Sequence, residues 1–442
     1  MAYLQQVLFL IVVTLAGLML YRRIMFIKKS INLGKPESRS DNKTARFKNM
    51  LLVAFGQNKM FKKPVPALLH LFVYIGFILI NIEVLEFIID GIAGTHRIFA
   101  PYLGIIYTFL INFFEFLAVS VLLACVIFLI RRNIIRVPRF HKPEMKSWPL
   151  LDANLILITE IMLVLAILGM NATDQLLQAN GAAHYLDTGR LYFSSFFTPI
   201  FEGFSISALI IFERTFWWFH IVGILAFAIY VTYSKHLHIF LAFPNTYFAN
   251  LKPRGEIANM ESVTNEVKMM LGLLPPEEQI PAGEVGRFGA KDINDLSWKS
   301  IMDAFTCTEC GRCTAECPAN QTGKKLSPRK IMMDTRDRAE EITRSIAKGG
   351  KGLEDGKSLL DNYISREELN ACTTCNACVE ACPVMIDPLA IIIDLRRFIV
   401  MEESGAPGDW NAMFQNIETS FAPWKFAPSD RFKWADESGN GK

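Results

Sequence analysis

Five long apolar runs dominate the first 250 positions, at 3–21, 65–89, 104–130, 150–170 and 215 to about 240. A hydrocarbon core of about 30 Å takes roughly 20 residues of helix, so each run predicts a transmembrane span. The pattern turns polar after Pro244. Residues 251–295 read as a connector with amphipathic pieces and a break at Pro275-Pro276. Helical spacing returns from Ser327 to Ala347, inside a stretch rich in Lys, Arg, Asp and Glu.

Charge divides at the same place. The first 250 residues hold 22 Lys and Arg against 13 Asp and Glu, and the last 192 hold 24 against 30, so the halves carry +9 and −6. This predicts a membrane half joined to a soluble half, and excludes a disordered chain, a disulfide-rich secreted domain and a strongly basic nucleic-acid binder. The first run should be retained rather than cleaved, because no basic residue precedes it and Arg22 and Arg23 follow it. Basic residues crowd the loops at 22–63 and 131–149, while the alternate loops hold only Arg97, Arg190 and Arg214. The positive-inside tendency then puts the N-terminus outside and the C-terminal half in the cytoplasm, with Trp217 and Trp218 in an outer interfacial belt.

Eight of the nine cysteines lie between Cys307 and Cys382. The ninth, Cys125, sits in an apolar run and reads as a small buried hydrophobe. The eight form two copies of C-x2-C-x2-C-x3-C-P: Cys307, Cys310, Cys313 and Cys317-Pro318, then Cys372, Cys375, Cys378 and Cys382-Pro383. Three close thiolates wrap one iron-sulfur cubane, and the fourth reaches the neighbouring cubane. The expected sets are Cys307, Cys310, Cys313 and Cys382 for one [4Fe-4S] cluster, and Cys372, Cys375, Cys378 and Cys317 for the other. A zinc knuckle would leave the third cysteine and the C-P of each copy surplus, and disulfides do not suit a cytoplasmic domain.

Several polar residues interrupt the spans. His70 lies one turn into the second run, and His220 and His238 fall in the fifth. On one continuous helix, eighteen residues close five turns, so His220 and His238 would share a face about 27 Å apart, with His236 turned away. Two imidazoles from different helices at one depth are what a six-coordinate b-type haem requires, and His70 with His238 is such a pair. Carboxyl groups inside spans are costly, so Glu83, Glu86, Glu115 and Glu160 are candidates for a proton path or quinone site, against a plain role in hydrogen bonding between helices.

His220-Ile221-Val222-Gly223 followed by Tyr233-Ser234-Lys235-His236-Leu237-His238-Ile239 resembles the fifth helix of the membrane b-cytochrome of respiratory nitrate reductase and its heterodisulfide-reductase-like relatives. That resemblance covers roughly 60–245 and implies His220 as an outer-haem ligand, with His70 and His238 on the inner haem. The family carries a second His ten residues after the first in the second span, where this chain has Ile80, so an outer haem would need another ligand such as His96 or His184. The two cysteine motifs stand 65 residues apart, from Cys307 to Cys372. With the helical insert between them, they resemble the all-helical ferredoxin domain of heterodisulfide reductase small subunits and of glycolate-oxidase-type, glycerol-3-phosphate-dehydrogenase and succinate-dehydrogenase iron-sulfur subunits. Many such relatives continue into C-C-G domains, but this sequence has no adjacent cysteines.

The expected architecture is all-α: a five-helix transmembrane bundle (1–245), a connector (246–295), a cytoplasmic α-helical ferredoxin domain (296–400) and an aromatic-rich tail (401–442). The expected role is a multi-pass subunit of the bacterial cytoplasmic (inner) membrane that relays electrons between quinone, haem b and two [4Fe-4S] clusters. Substrate chemistry would fall to a C-C-G-type heterodisulfide-reductase-like or flavoprotein partner. The alternative is a haem-free, membrane-tethered ferredoxin. Arg312, Lys324, Lys325, Arg329 and Lys330 read as a basic face for an acidic partner or as ordinary solvated charges, and the aromatic tail as a segment lying on a partner or folded back over the domain.

Overall fold

The computed structural model describes residues 3–273 and 287–439, so the Pro275-Pro276 break lies outside the described residues. Within them the regular structure is helical, with two isolated bridges, Lys35 to Ser297 and Leu360 to Ile364. Five helices are long and apolar enough to cross a membrane: Leu4–Ile31, Pro64–Ala93, Ile105–Ile134, Trp148–Ala179 and Ile206–Val231. They are called the first to fifth spans below.

Local chemistry sets the ends of these helices. Pro64 opens the second span where no helical N–H is needed, and Gly94 closes it at φ +73°. Lys28 and Lys29 occupy the last turn of the first span, at the negative end of its dipole. Between spans, glycines allow close approach. A Cβ on Gly76 would fall 2.5 Å from Val121 of the third span, and one on Gly223 would fall 2.6 Å from Leu163 of the fourth.

The fifth span departs from the sequence expectation by nine residues at each end, running Ile206–Val231 instead of 215–240. Glu213 and Arg214 lie inside the helix. Arg214 Nε and Nη2 donate to the Glu213 carboxylate at 2.5 and 2.6 Å, and the Tyr185 hydroxyl donates to it at 3.0 Å. Paired in this way, two charges that look like loop residues are accommodated within a span. At the other end, the Ser234 hydroxyl accepts from His236 N and starts a separate short turn, Lys235–Leu237. His238 therefore begins a new helix, His238–Tyr247, and does not share a helical face with His220. Trp217 is correspondingly mid-helix. It is 6% exposed and packs on Phe9 and Phe87, not in an interfacial belt.

The soluble part is built around Trp298–Thr306, Pro328–Ala347 and Pro388–Arg397. Ile301, Ile331, Ile342, Ile391 and Leu395 form one core, which also takes in Ile27 of the first span and Leu237 of the turn after the fifth. Ion pairs continue the junction. Arg23 reaches Glu340 at 2.6 Å, Lys63 reaches Glu316 at 3.1 Å, Lys235 reaches Glu309 at 2.5 Å and Arg329 reaches Glu144 at 2.6 Å, with Lys62 on Glu380. The exposed pairs contribute little. The buried ones specify how the two parts dock, because an unpaired partner would be left in low dielectric.

These contacts correct two expectations. Arg312 and Arg329 are 4% and 0% exposed, and so are not part of a solvated basic face. In the tail, the helix Gly408–Ser420 leads to Phe421, Trp424, Phe426, Phe432 and Trp434, which are 63–74% exposed, so these rings do not fold back over the domain.

Candidate metal centres

The two cysteine loops repeat in backbone as well as in sequence. In the first, Glu309 and Gly311 have φ of +52° and +70°. In the second, Thr374 and Asn376 have +55° and +59° at the same places. Two left-handed residues curl each loop back on itself, a conformation open to Gly and Asn at low cost. A short helix follows in each copy, Arg312–Ala315 and Ala377–Ala381. Cys317 then caps Pro318–Gln321, whereas Cys382 leads into a turn.

This geometry brings the fourth cysteine of each motif to the opposite loop. Cys317 lines a pocket together with Cys372, Cys375 and Cys378, closed by Leu326, Leu389 and Ile392. Cys307, Cys310, Cys313 and Cys382 are the other four thiols, close enough to raise one another electrostatically, and burial pushes Cys307 up to about 12 and Cys382 up to about 11. Such thiols ionise only when metal compensates them. The donor set, thiols from both loops, suits a cubane. Backbone N–H groups also point at sulfur, Thr374 N to Cys372 Sγ at 3.4 Å and Ile386 N to Cys382 Sγ at 3.3 Å, contacts of the kind that tune a cluster's potential.

The two sites differ in exposure. The first lies against the bundle, where Arg312 donates to Met60 O at 3.4 Å and Glu309 is held by Lys235 at 2.5 Å and by Arg336 at 2.9 Å. The second opens outward, and Cys375 is the one exposed cysteine among the described residues. The basic loop that ends at Lys62 and Lys63, which reads in sequence only as a topology signal, thus pairs with both cysteine motifs, at Glu380 and Glu316. No single-residue pattern announces this, because the acidic partners lie hundreds of positions away.

The histidines fall into three environments. His70 and His238 have ring centroids 6.4 Å apart, with 39° between their planes. His238 Nδ1 is bonded to Lys235 O at 2.9 Å, leaving Nε2 free, and His70 Nδ1 is buried without a partner. His220 Nδ1 is bonded to Leu163 O at 2.9 Å, and its ring neighbour is Phe87 at 5.6 Å. His96 lies elsewhere, 3.5 Å from Asp174 and 3.9 Å from Glu213, and His184 is exposed. Neither is brought to His220. Cys125 is 1% exposed in an apolar cluster, as expected.

Comparison with known proteins agrees with the soluble part. A 4Fe-4S dicluster domain matches residues 306–386. The chain is 28% identical to the Bacillus subtilis protein named "Probable iron-sulfur-binding oxidoreductase FadF", over 92% of this chain and 57% of that one. It is 26% identical to the "EtfAB:quinone oxidoreductase" of Syntrophomonas wolfei, over 91% of this chain and 55% of that one. A "Probable membrane-anchored ferredoxin" of Chromohalobacter salexigens is 31% identical over 33% of this chain and 24% of its own length. The chain thus spans little more than half the length of the first two relatives. No solved structure matches. The chain joins five apolar helices to a matched 4Fe-4S dicluster domain, and is similar to iron-sulfur oxidoreductases and a membrane-anchored ferredoxin.

Proposed function

We propose that the chain is the membrane subunit of a quinone-linked oxidoreductase of the bacterial cytoplasmic membrane, with its N-terminus outside and its ferredoxin part in the cytoplasm. Electrons pass between the quinone pool, one haem b at His70 and His238, the Cys307 site and then the Cys372 site. The observation that carries this reading is the order of the side chains. His70 and His238 face each other at the end of the bundle where the Cys307 loop is packed, Arg312 of that loop reaches the turn just before the second span, and Cys375 opens only the second site.

The histidine pair fits a haem. His70 and His238, with ring centroids 6.4 Å apart, are the residues that would hold it. The Lys235 carbonyl fixes the orientation of His238, the second-shell contact that metal-ligating imidazoles make. When bound, the haem and cubanes supply one-electron chemistry. Arg312, buried in the first cysteine loop, brings a positive charge to Met60 in the turn just before the second span. An outer haem is left out of the proposal, because the ring beside His220 is Phe87.

The two-electron chemistry belongs to a partner, a heterodisulfide-reductase-like or flavoprotein subunit that receives electrons at Cys375. Relatives named as an EtfAB:quinone oxidoreductase and as subunits of heterodisulfide reductases support that choice. A haem-free membrane-anchored ferredoxin is the competing reading, and the name of the Chromohalobacter relative favours it. A dithionite-reduced optical spectrum of the purified chain decides between them. The proposal expects a b-type α-band, lost together in His70→Ala and His238→Ala and kept in His220→Ala. Its absence from the unsubstituted protein leaves only the tethered ferredoxin.

A further inference from the structure

The two cysteine sites differ in the charges around them as well as in exposure. Beside the first, three cations have no carboxylate partner among the described residues. Arg312, between Cys310 and Cys313, is 4% exposed and donates to Met60 O at 3.4 Å and to Met60 Sδ at 3.2 Å. Lys59, just before the second span, donates to Val379 O at 3.3 Å, inside the run that ends at Cys382. Arg139, after the third span, lies against the Cys310 loop. Its carbonyl accepts from Arg329 Nη1 at 2.7 Å, and a Cβ on Gly311 would fall 3.3 Å from that oxygen. Its Nε is buried without a hydrogen-bond partner.

The acids nearby are already engaged. Glu309 is shared by Lys235 and Arg336, and Glu144 is taken by Arg329. Burial pulls the Lys59 ammonium down to about 8, so it stays charged at neutral pH, and the Cys382 sulfur favours that charge. Burial also lowers Arg139, against the pull of the Cys310 sulfur. At the second site the balance differs. Arg396 Nη2 donates to Cys372 O at 2.6 Å, but Asp387 caps the helix Pro388–Arg397 close by and adds to the effect of burial in raising Cys378.

We propose that Lys59, Arg139 and Arg312 make the Cys307 site the higher-potential centre of the two, so that an electron entering at the Cys375 side comes to rest against the bundle. The inference rests on the two-cluster reading above and adds the bias between the sites. One electron leaves the second site and one arrives at the first, and no bond or proton is exchanged. Burial alone would disfavour the added negative charge at the first site. Three unneutralised cations reverse that, because low dielectric strengthens each of them, whereas solvent at the open second site screens the charges there. Their role is positioning by charge, since net charge is one of the terms that set a cluster's potential.

The test is an EPR-monitored redox titration of the full chain in detergent, with iron counted beforehand and dithionite and ferricyanide as titrants. The first electron should favour the Cys307 site at least tenfold, which for a one-electron couple is about 59 mV between the midpoints. The spectrum of the one-electron state should then match that of reduced Cys378→Ser, which keeps the first site. Lys59→Met and Arg139→Gln should each cut the preference at least threefold by lowering the first midpoint while the second stays in place. Lys59→Arg should keep the preference, as should Lys348→Met, an exposed lysine just past the far end of the helix Pro328–Ala347. A general loss of structure would instead remove iron and both signals. A one-electron state that matches reduced Cys313→Ser would overturn the inference, and so would a first midpoint that neither Lys59→Met nor Arg139→Gln moves. A chain that binds about four iron atoms and shows one signal would overturn the two-cluster reading, and the inference with it.

Discussion

The two cysteine loops share a pattern and a backbone, yet they meet the membrane bundle differently. Both place left-handed residues after the first and second cysteines, and Cys317 of the first motif lines the pocket formed by the first three cysteines of the second. The difference lies in what fills the x positions. The first loop carries Glu309 and Arg312, which are 4% exposed and joined to Lys235, Arg336 and Met60. The second carries Thr374 and Ala377 and leaves Cys375 open. Cysteine spacing decides what a loop can hold, and the residues between the cysteines decide which side of the wire it serves.

The largest test of that comparison exchanges ligands across the copies. Cys317→Ser belongs to the first motif but should empty the second site, lowering iron from about eight to about four atoms per chain. Its residual EPR signal should match that of Cys378→Ser, while Cys382→Ser should match Cys313→Ser. Uncrossed sites would pair Cys317→Ser with Cys313→Ser.

Smaller in scale is the anchor. Lys235→Met leaves the buried Glu309 with Arg336 alone and should destabilise the junction by about 1.5–3 kcal/mol, read as a lowered Tm of the detergent-solubilised chain. Thr374→Ala, at the equivalent position to Glu309, should change it by less than about 0.5 kcal/mol.

The smallest effect concerns the second left-handed position. A Cβ at Gly311 would meet Arg329 Nη1 at 2.4 Å as well as the unfavourable φ, whereas Asn376 already carries a side chain there. Gly311→Ala should therefore lower cluster occupancy more than Asn376→Ala, which loses only the left-handed preference, about 1 kcal/mol. Iron retention after gel filtration measures both.

Where the chain could be read from sequence, the reason was local. Four spans fall near their expected places, because about twenty apolar residues have no other stable arrangement in lipid. The fifth was displaced, because Glu213 and Arg214 look like loop residues until each is seen to neutralise the other. His70 and His238 were paired in sequence by a shared depth on two helices, and their rings do lie 6.4 Å apart. His238 begins a new helix after the turn that Ser234 opens, however, so the face it would share with His220 is lost. Among the four intramembrane carboxylates, nothing in the sequence separates Glu83 from Glu86 or Glu115. Glu115 is used by Asn171 and the backbone of Phe193, and Glu86 by Tyr107.

By itself, then, the sequence determined the number of spans, the helical class and the eight thiols, because hydropathy and cysteine spacing act over a few residues to a few turns. Tertiary structure alone decided that the basic loops grip an acidic ferredoxin part, that one cysteine site faces the bundle and the other the solvent, and that Glu83 is left without a hydrogen bond. Each of these depends on whether a charge finds its partner 74 to 318 residues away, and the cost of leaving a buried charge unpaired makes such choices decisive.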